Sequence, residues 1–89
     1  MAVIVTAEVS GQTEQGYDGM LSGLANLITQ APGFIVHAAH PIEGGWRIIE
    51  MWETPQDASE FFAKYVHPNL PPGVKPKRPV QELHSLVRG

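Results

Sequence analysis

The chain contains no cysteine, and this absence excludes several kinds of site at once. Disulfides, thiolate-ligated metals, iron–sulfur clusters and a cysteine nucleophile all need thiols, so we expect none of them. Basic residues are also scarce, because six Lys and Arg stand against nine Asp and Glu for a net charge of −3. Proteins that neutralise nucleic-acid phosphates normally show the opposite excess, so we expect no nucleic-acid partner.

Long hydrophobic runs are missing as well. The apolar stretches fall short of the roughly 18 residues that a membrane-spanning helix needs, and no signal-peptide pattern opens the chain. We therefore expect a cytoplasmic protein without a membrane partner. The 89 residues are 43% hydrophobic and 17% charged, which is typical of a folded chain. They have room for a single domain, residues 1–89.

Hydrophobic periodicity predicts six elements in the order strand, helix, strand, strand, helix, strand. Each helix begins at a capping threonine, Thr13 or Thr54, and ends at a proline. The segment 68–79 holds five prolines and reads as a stiff loop. The six elements are predicted at 2–9, 13–31, 34–40, 46–53, 54–67 and 80–87.

This order matches the α+β class, specifically the ferredoxin-like βαββαβ arrangement of one antiparallel four-stranded sheet with both helices on one face. Alternate residues of a strand point to opposite faces, and the first three strands carry apolar side chains on both. Two helices cover only one face, so the other face would be left as an exposed apolar patch. We therefore expect a homodimer in which a second copy packs against that face.

The strongest resemblance to a known family lies in the segment Gly-Gly-Trp-Arg-Ile-Ile-Glu-Met-Trp-Glu-Thr-Pro-Gln-Asp-Ala, residues 44–58, followed by Phe61-Phe62 and His67-Pro68. These residues resemble the antibiotic-biosynthesis-monooxygenase-like (ABM) family of dimeric α+β barrel proteins. The resemblance implies a pocket in each subunit between the inner sheet face and its helices. It also implies a cofactor-independent monooxygenase that acts on a small apolar or aromatic, polyketide-like ligand. Relatives include haem-degrading enzymes and cyclases.

Glu50 and His67 are the candidate catalytic residues. Glu50 lies in mid-strand between bulky apolar neighbours, where a shielded carboxylate suits a general base, and a structural ion pair is the alternative. His67 matches the histidine that the family often has at the end of the second helix, and capping of the helix C terminus is the alternative. The four histidines show no metal-binding spacing, so we expect no metal site.

Five further side chains are candidates for binding the substrate. Trp52 resembles the tryptophan that lines the pocket of haem-degrading and oxygenase relatives, although an ordinary core position fits it equally well. The others combine aromatic or polar character with positions on predicted strands or on the second helix. The five are Thr6, His37, Trp52, Phe62 and Tyr65.

Two other functions fit the same residues. One is a non-catalytic dimeric protein that binds a small ligand, and the other is a cofactor-free cyclase or isomerase. Oxygenases of the family carry an asparagine on the first strand, where this chain offers Thr6 and Glu8 as polar residues. The loop 68–79 carries Lys75, Lys77 and Arg78, either as a rim that attracts an anionic ligand or as a solvated connection.

Overall fold

The computed structural model describes the backbone of residues 1–89 and the side chains of all residues except Lys75. Two helices and five strands alternate along the chain. Within the described part of the chain, no helix is both long and apolar enough to cross a membrane. The elements are β1 Val3–Ser10, α1 Glu14–Thr29, β2 Phe34–Ile42, β3 Gly45–Trp52, α2 Pro55–Phe61, β4 Lys75–Lys77 and β5 Val80–Glu82.

The strands form one antiparallel sheet in the order β2-β3-β1, with β4 and β5 both pairing with the free edge of β1. This arrangement confirms the predicted ferredoxin-like α+β fold. The predicted last strand, 80–87, is wrong in extent, because β5 ends at Glu82. The rest of the β1 edge pairs instead with β4, which comes from the proline-rich segment. Proline lacks a backbone N–H, which is why this edge is broken into two short pieces.

The turn between β2 and β3 fixes which residues face each other across the hairpin. Ile42 pairs with Gly45, so only two residues form the turn, and Gly44 adopts a positive φ of 75°. Counting back from this turn places His37 directly opposite Glu50. A bulge between residues 34 and 36 shifts the register only beyond this point.

Both helices begin at the predicted caps. The Thr13 hydroxyl accepts a hydrogen bond from the Gly16 N–H at 3.0 Å, and the Thr54 hydroxyl accepts one from the Asp57 N–H at 3.1 Å. After α2 the chain continues through a π-helical turn, Phe62–Val66, and a 3₁₀ turn, His67–Asn69. Such widened turns change the direction of the side chains that follow and often occur at functional sites.

The core lies between the helices and one face of the sheet. On β1 the residues on this face are buried, whereas those on the opposite face are only partly shielded. No element covers that opposite face in the part of the chain that the structure describes. Core residues with almost no exposed surface are Val3, Val5, Ile28, Trp52, Ala58 and Phe61.

Candidate functional site

A cavity of about 60 Å³ lies between the helix-facing side of the sheet and the inner surface of the helices. Apolar side chains form most of its wall. Its volume has room for a few water molecules, well below the ~300–1,000 Å³ of sites that hold drug-sized ligands. Residues from β1, α1, β3, the π-helical turn and the proline-rich segment contribute, including Val5, Met20, Ile48, Phe62, Leu70 and Pro76.

Three polar side chains in the cavity wall form a continuous hydrogen-bonded chain. The Tyr17 hydroxyl lies 2.6 Å from Nε2 of His37, and Nδ1 of His37 lies 2.7 Å from Oε2 of Glu50. The other carboxylate oxygen, Oε1, accepts a hydrogen bond from the Trp52 indole N–H at 3.0 Å. Both carboxylate oxygens therefore have a donor, which satisfies a shielded carboxylate and fixes its orientation.

The sheet and the first helix bring these residues together for separate reasons. His37 and Glu50 are a cross-strand pair on neighbouring strands, so their side chains project side by side from the same face. Trp52 lies two residues beyond Glu50 on β3 and shares that face because strand side chains alternate. Tyr17 comes from the first turns of α1, which pass over the sheet, and its ring also stacks on that of Trp46 at 5.5 Å.

Burial and nearby charges keep the proton on Tyr17, at one end of these hydrogen-bonded side chains. Burial raises the pKa of Tyr17 above its ordinary value of 10.0, and the carboxylates of Glu50 and Asp18 raise it further. The hydroxyl therefore remains protonated at neutral pH and is available to donate to Nε2 of a neutral His37 ring. In this tautomer the ring proton lies on Nδ1 and is donated to Glu50.

One cation, Arg78, lies in the same cavity wall as the Tyr17–His37–Glu50 hydrogen bonds. The guanidinium carbon of Arg78 lies 3.8 Å from the centre of the Phe62 ring, a cation–π contact, and both residues line the cavity. Burial lowers the pKa of Arg78, while the nearby Glu50 carboxylate opposes that shift. The group nevertheless stays charged at neutral pH, as guanidinium groups in proteins do.

The predicted site residues separate into two groups in the structure. Glu50, His37 and Phe62 meet at the cavity. Trp52 is fully buried behind it, at 0% exposure, and is packed edge-on against Phe34. Its indole N–H donates a hydrogen bond to Glu50 in the cavity wall.

The remaining three predicted residues lie away from the cavity. Thr6 projects from the opposite face of the sheet, since the buried alternation on β1 runs through its neighbours Val5 and Ala7. His67 is exposed at the start of the 3₁₀ turn and packs beside Phe62 with ring centres 6.0 Å apart. Tyr65 packs against Phe61 at 5.0 Å and borders shallow surface grooves instead.

Two members of the site were absent from the predicted set, Tyr17 and Arg78. Helical spacing placed Tyr17 on a core-facing stripe, where tyrosine is more often a packing residue. Arg78 belongs to a run of basic residues that normally faces water, and the side chain of Lys75, in the same run, lies outside the described residues. A sequence signal for Tyr17 does exist, namely a hydroxyl on an otherwise apolar helix face that covers two polar strand positions.

Comparison with known proteins gives matches only at the level of three-dimensional structure. No protein-family model and no curated protein matches the chain. A mutant of SnoaB, a cofactor-independent oxygenase from Streptomyces nogalater, superposes with a TM-score of 0.64 at 11% identity, covering 99% of this chain and 97% of that one.

A second similar structure is MhuD. A mutant of MhuD with two manganese protoporphyrin IX molecules bound per active site superposes with a TM-score of 0.68 at 15% identity, covering 98% of this chain and 99% of that one. MhuD from Mycobacterium tuberculosis, a heme-degrader with two hemes bound, gives 0.66 at 14% identity, covering 97% and 99%. SnoaB and MhuD are both ABM-fold proteins, so the predicted resemblance is confirmed for the fold.

Proposed function

We propose that this protein is a small-molecule enzyme of the ABM-like type, a cofactor-independent monooxygenase that acts on an apolar or aromatic, polyketide-like substrate. The observation that carries the proposal is the Tyr17–His37–Glu50 chain in the wall of an apolar cavity. The similarity in fold between this protein and SnoaB, a cofactor-independent oxygenase, supports the same proposal. Glu50 is the general base in this proposal, His37 orients it through the Nδ1–H hydrogen bond, and Tyr17 holds the His37 ring in place from the other nitrogen.

The chemistry needs only an acidic substrate C–H group and dioxygen. Glu50 accepts the proton as the C–H bond breaks, and the electron pair remains on the substrate as a resonance-stabilised carbanion. That carbanion is the reductant: it transfers electrons to dioxygen and forms a C–O bond. The remaining C–H bond of that carbon then breaks together with the O–O bond, which leaves a carbonyl, and the departing hydroxide takes up a proton, so that a CH₂ group and O₂ give C=O and H₂O.

The cavity must open before such a substrate enters, because its present volume of about 60 Å³ is smaller than an aromatic ring system requires. Part of the wall is suited to this movement. Met20 is unbranched and adaptable, and Leu70 lies in the irregular segment that follows the 3₁₀ turn. We infer that a substrate displaces these side chains as it enters and that, once bound, it excludes water from the base.

A haem group does not fit the residues present. His37 is the one imidazole in the described cavity wall, and both of its ring nitrogens are already hydrogen-bonded to side chains. His67, the other candidate, is exposed and outside that wall. Neither is therefore positioned as an axial iron ligand, so no step of the proposed reaction passes through haem.

The second copy predicted from the sequence belongs to this proposal. The uncovered sheet face carries Ile4, Ile49 and Met51, which are only partly shielded, and Val36, which is 41% exposed. Burying such a face against another copy would remove apolar surface from water at about 25 cal/mol per Å². We therefore propose a homodimer joined through this face, with a cavity on the far side of each sheet.

A cofactor-free isomerase or cyclase is the second candidate, and one observation favours it. Tyr17 is a protonated donor close to the carboxylate base, which is the acid and base pair that a proton-moving reaction uses. The same wall therefore serves a reaction without dioxygen. A non-catalytic ligand-binding protein needs the cavity alone and leaves the polar chain without a chemical role.

A single assay separates these functions. We expect the protein to convert hydroxyanthrone to the corresponding quinone with uptake of one molecule of dioxygen per product, measured with an oxygen electrode and by mass spectrometry. Conversion under nitrogen would assign an isomerase or cyclase instead. Native mass spectrometry of the freshly purified protein completes the comparison, since a retained ligand without conversion would assign a binding protein.

A further inference from the structure

Arg78 is held firmly beside the cavity rather than in a solvated connection. It lies between β4 and β5, and both of these strands pair with β1. The residue that follows it, Pro79, accepts a hydrogen bond from the Thr6 N–H at 3.2 Å. The Phe62 ring covers one face of the guanidinium at 3.8 Å. The backbone and the ring therefore fix this cation against the cavity wall.

Arg78 interacts with the Glu50 carboxylate across the cavity but forms no direct ion pair among the described side chains. Among the side chains that the structure describes, no carboxylate lies within 4.0 Å of its nitrogens. Glu50 shares the cavity but is already engaged by His37 and Trp52. A shielded cation beside an apolar surface is costly without a compensating anion. By contrast, the exposed cations Arg47 and Arg88 each lie near a glutamate.

We propose that Arg78 binds a negatively charged oxygen of the substrate, a phenolate or enolate oxygen conjugated with the carbon that Glu50 deprotonates. This inference rests on the proposed function, since it names the substrate class of the same cavity. As the C–H bond breaks, its proton goes to the Glu50 carboxylate and its electron pair is delocalised onto that oxygen. A guanidinium placed there stabilises the charge that develops, as an oxyanion hole does.

The arrangement separates the two charges that the reaction requires. Glu50 is a carboxylate that would repel an anionic oxygen, whereas Arg78 attracts it, so a bound substrate has one preferred orientation. The Phe62 ring holds the guanidinium carbon at 3.8 Å, and a guanidinium carries five N–H donors with which to bind such an oxygen. A planar aromatic substrate whose oxygen meets Arg78 would therefore present its acidic carbon toward Glu50.

Binding of two matched probes tests this inference without any turnover. Nitrophenol at a pH where it is ionised is an anionic probe, and nitrobenzene is its neutral counterpart of similar shape. We expect the protein to bind nitrophenolate about tenfold or more tightly than nitrobenzene, the effect expected of one charge-assisted hydrogen bond. Arg78→Gln should abolish this preference and Arg78→Lys should retain part of it.

Two controls keep the result specific. Lys77→Gln removes a neighbouring exposed charge and should leave the preference unchanged, and thermal unfolding of each variant verifies that it is folded. An unchanged preference in folded Arg78→Gln, or equal binding of the two probes by the unmodified protein, would overturn the inference. Because the probes are not turned over, a positive result stands even if hydroxyanthrone is not oxidised, and a negative one leaves the oxygenase proposal intact.

Discussion

The two faces of the sheet carry similar polar pairs in different surroundings. On the helix-covered face, His37 and Glu50 lie 2.7 Å apart with side chains 17% and 14% exposed. On the uncovered face, Arg47 and Glu8 lie 2.8 Å apart with side chains 36% and 49% exposed. Distance alone does not distinguish the two pairs, because only the covered pair continues into further hydrogen bonds at both ends.

This comparison indicates where chemistry belongs in the fold. An exposed ion pair is screened by water and contributes about 0–1 kcal/mol, so its loss changes little. A shielded pair interacts strongly with whatever shares its cavity, and its members are costly to leave unpaired. Residues on the same strand, Arg47 and Glu50, thus stand in different surroundings, because one projects from the uncovered face and the other faces the helices.

The largest expected effect is on activity. Glu50→Gln keeps the shape of the side chain but removes the base, so turnover of hydroxyanthrone should fall by about 10²–10⁴-fold with assembly unchanged. Glu8→Gln, the matched substitution on the uncovered face, lies outside the cavity wall and should leave the rate within about twofold, measured at a protein concentration where the variant sediments as a dimer. Oxygen uptake measures both. Equal rates in a well-folded Glu50→Gln variant would remove Glu50 from the mechanism.

The next effect concerns the uncovered face. Ile49→Lys places a charge in the centre of the proposed dimer interface, and an unpaired interfacial charge costs several kcal/mol. We expect the dimer to dissociate at least about 100-fold more readily, measured by analytical ultracentrifugation. Leu27→Lys, at a helix residue that is 42% exposed, is the control and should not alter association. A monomer in the unmodified protein would contradict the proposed homodimer.

The two tryptophans of β3 allow a smaller, matched test of stability. Trp52→Phe removes the donor to Glu50 and leaves a void in the core, so it should lower the free energy of unfolding by about 2–4 kcal/mol. The Trp46 indole N–H is buried with no hydrogen-bond partner among the described residues. Trp46→Phe removes that unpaired donor and should cost about 1 kcal/mol or less. Denaturant unfolding measures both, and equal losses would contradict the role given to the Trp52 hydrogen bond.

The smallest effect is a shift in pH dependence. The pKa of Tyr17 is raised on folding, so its contribution to stability is complete below its ordinary value of 10.0 and is lost as the pH rises through the folded value. In a Tyr65→Phe background, ultraviolet titration should show the remaining tyrosine ionising above 10.0. Tyr17→Phe should remove this part of the alkaline loss of stability. An ordinary titration of Tyr17 would show that it is not shielded.

Sequence reasoning was most successful where local chemistry determines the structure. Threonine caps and proline stops located both helices, and the β-branched runs located the first three strands, because these signals act within a few residues. The divided fourth strand was missed because prolines favour loops, whereas the unpaired backbone groups at the β1 edge draw part of the proline-rich segment into the sheet. Non-local pairing prevailed at Lys75–Lys77.

The candidate site was predictable only in part. A two-residue turn at Glu43-Gly44 would by itself place His37 opposite Glu50, so that pair lay within reach of the hairpin sequence. Glu50 and His37 were indeed singled out. The presence of Tyr17 and Arg78 in the cavity wall depends on how α1 and the proline-rich segment pack across the sheet. A local sequence pattern does not specify that packing. The family resemblance suggested Trp52 as part of a pocket wall, and the structure buries it completely, with its indole N–H donating to Glu50.

The most direct test of the shielded polar chain is proton NMR of the His37 ring, assigned by comparison with a His37→Gln variant. We predict a slowly exchanging Nδ1–H signal in the unmodified protein that persists in Glu8→Gln and is lost in Glu50→Leu, which has no acceptor. The result that would contradict the proposed site is a ring proton that exchanges freely with water in the unmodified protein, or one that is unaffected by Glu50→Leu.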